Sequence, residues 1–453
     1  MTEFLSERNM INGKIILVLT ASFYGAALAT ATGNPSVFFW NCAGIAILLT
    51  ACRNLDDAAC RAITVALGIN MILMSVLYWG YLVKYNSPYF LGYSDDYAFD
   101  QYAAQVTSEG LYTPEQIHGT LDFIFHNSVG YICYLSWIVR ISSFLGGYHP
   151  FIPRVLNLYY LSILCVLTYK YFQRHVNLPA AKGRLLIYWL GLFPNAVYVS
   201  IHNFRDVLSS LLLFVVFYLW DLFPHKKFSN KAAIILATFF ISYWMYWLRS
   251  ITLFFIGILV LISLLIGNRT IHFKFKSVLA TIVLIIVMAK VADASGFFKL
   301  LDIYNNVYNE GAINMSSGLS QTVFTMPIFP FGIWLRTLYG MFIPVPALPL
   351  TLDMDGFFQV LNSFGTIAQV FLLPYLLLNL KSMDKLVIVF VTMYCAIILT
   401  TFGFRHFIML YPFMAIMIGR VYFKTKPARR HIFLTIMAGS LATLIPTYFF
   451  LKA

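Results

Sequence analysis

Charged residues are scarce in this chain of 453 residues, since they make up only 11% of it while hydrophobic residues make up 60%. Soluble globular domains carry about a quarter charged residues, so the composition excludes an ordinary soluble protein. Stretches such as 232–267 and 277–294 are long enough to cross a bilayer, because a spanning helix needs about 20 apolar residues. The composition therefore predicts an all-α polytopic membrane protein.

Closely paired cysteines and an excess of acidic charge are also missing. The six cysteines lie mostly within or beside apolar stretches and lack the spacing of a zinc site. Lysine and arginine together number 31 against 18 acidic residues, which gives a net charge of +13. These basic residues form short clusters between apolar stretches, where they act as topology signals rather than as a phosphate-binding patch. The pattern argues against nucleic acid as a partner.

The basic clusters predict the topology, because the positive-inside rule places them in the cytoplasm. They lie at positions 53–61, 174–184, 226–231, 269–276, 381–385 and 424–430. The two longest intervening connections, residues 85–153 and 297–356, then lie outside. Within them, residues 129–145 and 328–350 are apolar but short or broken, and are predicted to be interfacial or re-entrant helices. Length and parity predict one transmembrane domain over residues 1–453 with about 13 spans, the N-terminus inside and the C-terminus outside.

An acidic stretch follows a predicted span in the first outer connection. Asp96, Asp100 and the alanines after them recur at helical spacing, which predicts a short helix capped by Ser94 or Asp95. In one interpretation the acids only cap this helix and face water. Paired carboxylates also suit a general base, since one can take a proton from a hydroxyl while the other positions it. Both interpretations stay open.

Basic residues recur at the outer ends of the predicted spans. Charge so close to the hydrocarbon is costly and is often functional, and arginine suits the phosphate of a lipid head group. The candidates for binding a phosphate are Arg154, Arg205, Arg249, Arg336, Arg405 and His406. In the simpler interpretation, Arg205 pairs with Asp206 and Arg249 is a snorkelling turn marker. Their convergence on one face favours an anionic lipid-linked substrate.

The order of these segments resembles the GT-C class of glycosyltransferases. Residues 95–110, which begin Asp-Asp-Tyr-Ala, are similar to the acidic motif in the first large outer loop of that class. Pro153-Arg154 is similar to the start of the following span, and 193–206 to a turn with proline followed by arginine and an acid. Arg405-His406 is similar to a late arginine-aromatic-proline segment. The resemblance implies a GT-C-like bundle with periplasmic juxtamembrane helices in the bacterial inner membrane.

The resemblance also implies an inverting transfer of a sugar from a polyprenyl-phosphate donor to a cell-surface glycan or lipid acceptor, on the periplasmic side. Asp95 or Asp96 would be the catalytic base, and the six basic residues named above would bind the donor phosphate. Supporting roles, or contacts with the acceptor, fall to Tyr97, Asp100, His202 and Asp206. The resemblance leaves open whether a divalent cation, Mg²⁺ or Mn²⁺, lies at Asp95 and Asp96. Membrane lipids are the remaining expected partners.

Two other functions remain as alternatives. The hydropathy profile also resembles polymerases that join O-antigen or capsule repeat units carried on polyprenyl diphosphate. A flippase for a lipid-linked sugar is the third candidate, and such transporters place ionisable residues in mid-membrane. Here the ionisable residues gather at one face, apart from Lys170 and Lys290 near span ends. This distribution favours an enzyme.

Overall fold

The computed structural model describes residues 12–89, 95–121, 128–266, 290, 293, 319–327, 331–344, 353–382, 384–400 and 403–452. Every regular element in this part of the chain is a helix. The described residues form two compact units. The first comprises Met1–Phe214 with Trp247–Arg249, and the second comprises Val215–Tyr246 with Ser250–Ala453. The prediction of an all-α protein is confirmed.

Within the described residues, ten helices begin in the first unit, and the last of them crosses the boundary between the units. They are α1 (Gly13–Thr32), α2 (Pro35–Ala51), α3 (Asp57–Tyr85), α4 (Asp95–Ser108), α5 (Pro114–His118), α6 (Val129–Ser143), α7 (Phe151–His175), α8 (Ala180–Gly191), α9 (Pro194–Ser200) and α10 (Asp206–Leu222). The second unit contains α11 (Phe228–Leu248), whose last residues belong to the first unit, and α12 (Ile251–Ile266), α13 (Leu319–Thr325), α14 (Ile333–Met341), α15 (Met354–Asn379), α16 (Lys385–Thr400), α17 (Tyr411–Tyr422) and α18 (Pro427–Lys452). Short 3₁₀ helices cover Phe223–His225, Leu380–Ser382 and Phe404–Met409.

Six helical stretches of the described chain are long and apolar enough to cross a membrane. They are Gly13–Thr32, Asp57–Tyr85, Phe151–His175, Asp206–His225, Phe228–Leu248 and Met354–Ser382. Three shorter apolar helices are Pro35–Ala51, Ile251–Leu264 and Lys385–Leu399. These lengths and this composition are those of a membrane protein. The count of about 13 spans, the sidedness and the GT-C architecture stay predictions.

Among the six candidate spans, helix α7 is the most buried, with 89% of its apolar stretch inside the protein. Its neighbour α2 approaches it closely because Gly44 has no side chain: a Cβ there would lie 2.1 Å from a ring carbon of Tyr159. The Tyr159 hydroxyl donates a hydrogen bond to Asn41 Oδ1 over 2.8 Å, and Asn41 Nδ2 donates to the Ala21 carbonyl over 3.0 Å. Small residues and interhelical hydrogen bonds of this kind hold membrane helices together. They fix α7, whose first turn carries Arg154.

The two segments predicted to be interfacial or re-entrant contain α6, with 15 residues, and α14, with 9 residues. Both are shorter than the roughly 20 residues that a span requires. Arg140 in α6 donates hydrogen bonds to the carbonyls of Val106 and Leu111, over 3.2 and 2.6 Å. At the end of α14, the Met341 carbonyl accepts a hydrogen bond from Gln369, midway along α15. Their position on the outer face stays a prediction.

Candidate functional site

Helix α4 begins at Asp95, so the two predicted catalytic carboxylates lie in its first turn. Ser94, the alternative cap, lies outside the described residues. Neighbouring residues of a helix point in directions about 100° apart. Asp96 therefore points into the protein and is completely buried, whereas Asp95 is half-buried and Tyr97 is 44% exposed. The structure thus separates two aspartates that the sequence leaves equivalent.

Asp96 is held by Arg154 from the first turn of α7. Arg154 Nη2 lies 3.4 Å from Asp96 Oδ2, and both side chains are fully buried. The same nitrogen donates to the Pro88 carbonyl over 2.7 Å, and the guanidinium lies over the rings of Tyr78 and Tyr89, 5.5 and 5.4 Å from their centroids. These contacts link α7, α4 and the segment after α3. Arg154 was predicted to bind the donor phosphate; in the structure its Nη2 contacts Asp96, and the role in binding phosphate stays a prediction.

One turn further along α4, Asp100 is the centre of a second buried polar group. It accepts hydrogen bonds from the hydroxyls of Tyr89 and Tyr148 and, over 2.7 Å, from Asn203 Nδ2. Asn203 Oδ1 in turn accepts from the Tyr131 hydroxyl over 2.6 Å. Burial raises the pKa of Asp100 to about 6, against the lowering effect of the two tyrosine hydroxyls. Asp100 therefore supports the structure of α4 rather than facing solvent.

The turn between α9 and α10 is fixed from α7. Asn157 Nδ2 donates to the carbonyls of His202 and Phe204, over 2.9 and 3.0 Å. His202 is 1% exposed, with Nδ1 lying 2.7 Å from the Tyr198 carbonyl and its ring stacked on that of Phe204. Asn203 of the same turn donates a hydrogen bond to Asp100 of α4. The turn and the acidic helix are therefore parts of one buried polar network in the first unit.

Arg205 and Arg249, the two arginines near this turn, both contact other residues of the first unit. Asp206 Oδ1 lies 2.8 Å from Arg249 Nη1, and both side chains are buried. Arg205 instead donates through Nη1 to the Ser128 hydroxyl and, over 3.2 Å, to the Leu248 carbonyl. Asp206 therefore has Arg249 as an ion-pair partner, and Arg249 is buried rather than a snorkelling turn marker. Both arginines are built into the first unit.

The remaining predicted phosphate ligands belong to the second unit. Arg336 on α14 is 4% exposed, and its Nη2 donates to the Phe324 carbonyl over 3.1 Å. Arg405 and His406 lie in the 3₁₀ helix Phe404–Met409 and are half-buried. The structure thus gathers the acidic residues, Arg154, Arg205, Arg249 and His202 in one unit, and places these three basic residues in the other. A role in binding phosphate stays a prediction for all six.

The fit of a divalent cation depends on the oxygens that the two aspartates offer. Asp96 Oδ2 is paired with Arg154, and Asp96 Oδ1 accepts a hydrogen bond from the Tyr97 N–H over 3.0 Å. Each oxygen of Asp96 therefore already accepts one contact, and a divalent cation bound by Asp95 and Asp96 stays a prediction. Within the described residues, no group of three or more His, Cys, Asp or Glu side chains could hold a metal ion.

Five residues of the network had no predicted role from the sequence, namely Tyr89, Tyr131, Tyr148, Asn157 and Asn203. A signal existed for the two asparagines, because each lies in apolar or aromatic surroundings where an amide must find partners. The tyrosines carried no such signal, since aromatic residues at span ends are ordinary in membrane proteins.

No family model matches the chain, and neither a curated protein nor a solved structure does. The functional interpretation therefore rests on the residues and their geometry.

Proposed function

We propose that the chain is an inverting glycosyltransferase of GT-C type, acting at the periplasmic face of a bacterial inner membrane. It moves a sugar from a polyprenyl-phosphate donor to a cell-surface glycan or lipid acceptor. Asp95 is the catalytic base. Asp96 and Arg154 position the helix that carries it.

The difference in burial between the adjacent carboxylates Asp95 and Asp96 is the observation that best supports this proposal. Asp96 is completely buried and paired with Arg154, while Asp95, one residue earlier, is half-buried at the first turn of α4. A base must meet its substrate, and its position must be fixed within a fraction of an ångström. The buried ion pair supplies the fixed position, and the half-buried Asp95 is the carboxylate that meets the acceptor. The N-terminal turn of a helix is also a favourable place for carboxylates.

The chemistry requires one proton transfer and one substitution at carbon. The Asp95 carboxylate takes the proton of an acceptor hydroxyl while that oxygen forms a bond to the anomeric carbon of the donor sugar. The bond from this carbon to the phosphate oxygen breaks, and its electron pair leaves with the polyprenyl phosphate. Attack from the face opposite the leaving group inverts the configuration.

Arg205 is the first-unit residue best placed to stabilise the charge on the leaving phosphate. Its guanidinium carbon lies 6.0 Å from the centroid of the Phe99 ring. Phe99 is four residues after Asp95, so the two lie one turn apart along the same side of α4. Removing a charged contact of this kind from a transition state costs about 3 kcal/mol.

The experiment compares the purified protein with its Asp95→Asn and Asp96→Asn variants, using a polyprenyl-phosphate sugar and candidate glycans. Loss of the base should lower the transfer rate of Asp95→Asn by about 10² to 10⁴-fold with little change in thermal stability. Asp96→Asn should instead lower the melting temperature, because it breaks the pair with Arg154. Asp57→Asn is the matched control, since Asp57 is an exposed acid in the first turn of α3.

Three outcomes would contradict the proposal. Undiminished transfer by Asp95→Asn would remove the assigned base. Elongation of repeat units on lipid diphosphate, with monophosphate donors ignored, would establish the polymerase. Scrambling of a fluorescent lipid-linked sugar with no chemical product would establish a flippase.

A further inference from the structure

Helix α4, which the structure describes along its whole length, keeps its charges away from its exposed side. Its three acids are Asp95, Asp96 and Asp100, of which the last two are buried and the first is half-buried. The exposed residues of α4 lie on one side of the helix, which we call the neutral stripe, because they recur at spacings of three and four residues. They are Tyr97, Gln101, Ala104, Gln105 and Ser108, and none of them is charged. An exposed helix face usually carries the charged residues, so this stripe suits a hydrogen-bonding partner that has no charge.

The two glutamines of the neutral stripe are held in place by their neighbours. Gln101 Nε2 donates to the Tyr97 hydroxyl, and the Tyr97 ring packs against the ring of Tyr89, with centroids 5.2 Å apart. One turn further along, Gln105 Nε2 donates to Glu109 Oε1 over 2.9 Å. Each amide thus uses its nitrogen to hold a neighbour and keeps its carbonyl oxygen as an acceptor. Amides and hydroxyls fixed in this way are the groups that recognise the hydroxyls of a sugar.

An aromatic platform, formed by Tyr112 and Trp137, lies at the C-terminal end of α4. Tyr112 is 50% exposed and Trp137 is 44% exposed, and their ring centroids are 5.7 Å apart. The Arg140 guanidinium lies over the Tyr112 ring, 4.0 Å from its centroid, and donates to the carbonyls of Val106 and Leu111. Trp137 Nε1 donates to the Tyr112 carbonyl over 3.3 Å. These contacts hold both rings in place while about half of each stays open, which suits stacking against the C–H groups of a pyranose ring.

Helix α4 sets the distance between Asp95 and the aromatic platform. From Asp95 to Ser108 the helix rises by about 20 Å, and Tyr112 follows in the next turn of the chain. The hydrogen bonds from Arg140 to the carbonyls of Val106 and Leu111 keep that turn against the end of α4. A single sugar is much shorter than this distance. A ligand that reaches both Asp95 and the platform must therefore be a chain of several sugars.

We propose that the acceptor is an uncharged, extended glycan that lies along the neutral stripe, with its reacting hydroxyl at Asp95 and an internal sugar on the aromatic platform. This inference rests on the proposed function and selects a glycan rather than a lipid as the acceptor. A surface that faces lipid chains would be apolar, whereas the neutral stripe carries two amides and two hydroxyls. Helix α4 has no lysine or arginine to pair with an anionic glycan, and such a ligand would approach the exposed carboxylate of Glu109.

The test uses the full chain in neutral detergent and measures binding and transfer separately. The probes are di- and hexasaccharides of glucose, mannose and galactose, with a hexasaccharide of galacturonic acid as the anionic counterpart. Calorimetry without a donor gives the dissociation constant, and transfer from a polyprenyl-phosphate sugar gives KM. We expect a neutral hexasaccharide to bind more tightly than its disaccharide and than the anionic chain, with KM in the same order. Binding of this kind without transfer would contradict only the proposed function, and transfer that is independent of acceptor length would contradict only this inference.

Variants of the platform and of the neutral stripe should weaken this binding. Trp137→Ala should weaken binding of the neutral hexasaccharide about tenfold, the usual effect of removing an aromatic anchor. Trp137→Phe should recover most of the affinity, because a ring remains. Gln105→Ala should weaken binding about threefold through the loss of one neutral hydrogen bond. The matched controls are Tyr243→Ala and Gln359→Ala, which change exposed residues of α11 and α15 and should bind as wild type does.

Three results would overturn the inference. The first is undiminished hexasaccharide binding in both Trp137→Ala and Gln105→Ala, each folded by circular dichroism. The second is binding of the galacturonic acid chain as tight as that of the neutral chains. The third, measured by native mass spectrometry, is a loss of retained phospholipid in Trp137→Ala with glycan binding unchanged, which would make the aromatic platform a membrane contact.

Discussion

Asp96 and Arg154 form a buried ion pair, with Oδ2 and Nη2 3.4 Å apart and both side chains 0% exposed. Arg154 also contacts the Pro88 carbonyl and the rings of Tyr78 and Tyr89. One guanidinium therefore connects α7 with α3, α4 and the segment between them. The pair gives α4 a fixed orientation, on which the position of Asp95 depends.

Breaking this pair should be strongly destabilising. Arg154→Met leaves the Asp96 carboxylate buried without its partner, and such a change typically costs about 3–5 kcal/mol. Thermal or denaturant unfolding in detergent measures the loss. The double variant Asp96→Leu with Arg154→Met removes both charges and should recover much of the stability, because apolar side chains can replace a buried pair. Equal stability of wild type and Arg154→Met would contradict the role assigned to the pair.

Asp100 should make the first unit less stable as the pH rises from about 4 to 6. Its pKa is raised from 3.8 to about 6, mainly because burial penalises the charged form. The folded protein therefore keeps the Asp100 proton to a higher pH than the unfolded chain does. The resulting stability is fully present below about pH 3.8 and is lost as the pH rises through about 6.

The measurement is the melting temperature as a function of pH in wild type and Asp100→Asn. The variant keeps the shape of the side chain but does not ionise, so its melting temperature should vary less over that interval. Glu109→Gln is the matched control, because Glu109 is an exposed acid just after α4. Identical pH profiles for wild type and Asp100→Asn would show that Asp100 does not ionise in this range.

Gly44 should tolerate no side chain. A Cβ at this position would lie 2.1 Å from the Tyr159 ring, so Gly44→Ala forces α2 and α7 apart and disturbs the hydrogen bond from Tyr159 to Asn41. Overpacking of this kind costs about 1–3 kcal/mol. Gly68→Ala in α3 is the control, since a Cβ there meets nothing within 4 Å. That variant should be neutral or gain about 0.5–1 kcal/mol from helix propensity. Thermal unfolding of both variants checks the contrast.

Local features of this protein could be predicted from its sequence, and its long-range pairings could not. The helical fold and the membrane character follow from the apolar stretches, and the start of α4 follows from the spacing of Asp96 and Asp100. The division of roles between Asp95 and Asp96 depends on Arg154, which is 58 positions away from Asp96. Arg249 is likewise 43 positions away from Asp206. Such partners meet only through tertiary packing, about which periodicity and topology signals carry no information.

Arg205 allows a last test, one that separates binding of the donor phosphate from a purely structural role. Its guanidinium donates to the Ser128 hydroxyl and the Leu248 carbonyl. If Arg205 stabilises the leaving phosphate, Arg205→Gln should lower kcat/KM for transfer by about 10²-fold. Arg205→Lys should recover part of this activity, since lysine binds phosphate as a point charge. Ser128→Ala should lower the melting temperature yet keep most of the transfer rate, because it removes a support and leaves the charge. If the Lys and Gln variants lose activity equally, and in proportion to their loss of stability, Arg205 is a structural residue and the phosphate is bound by other side chains.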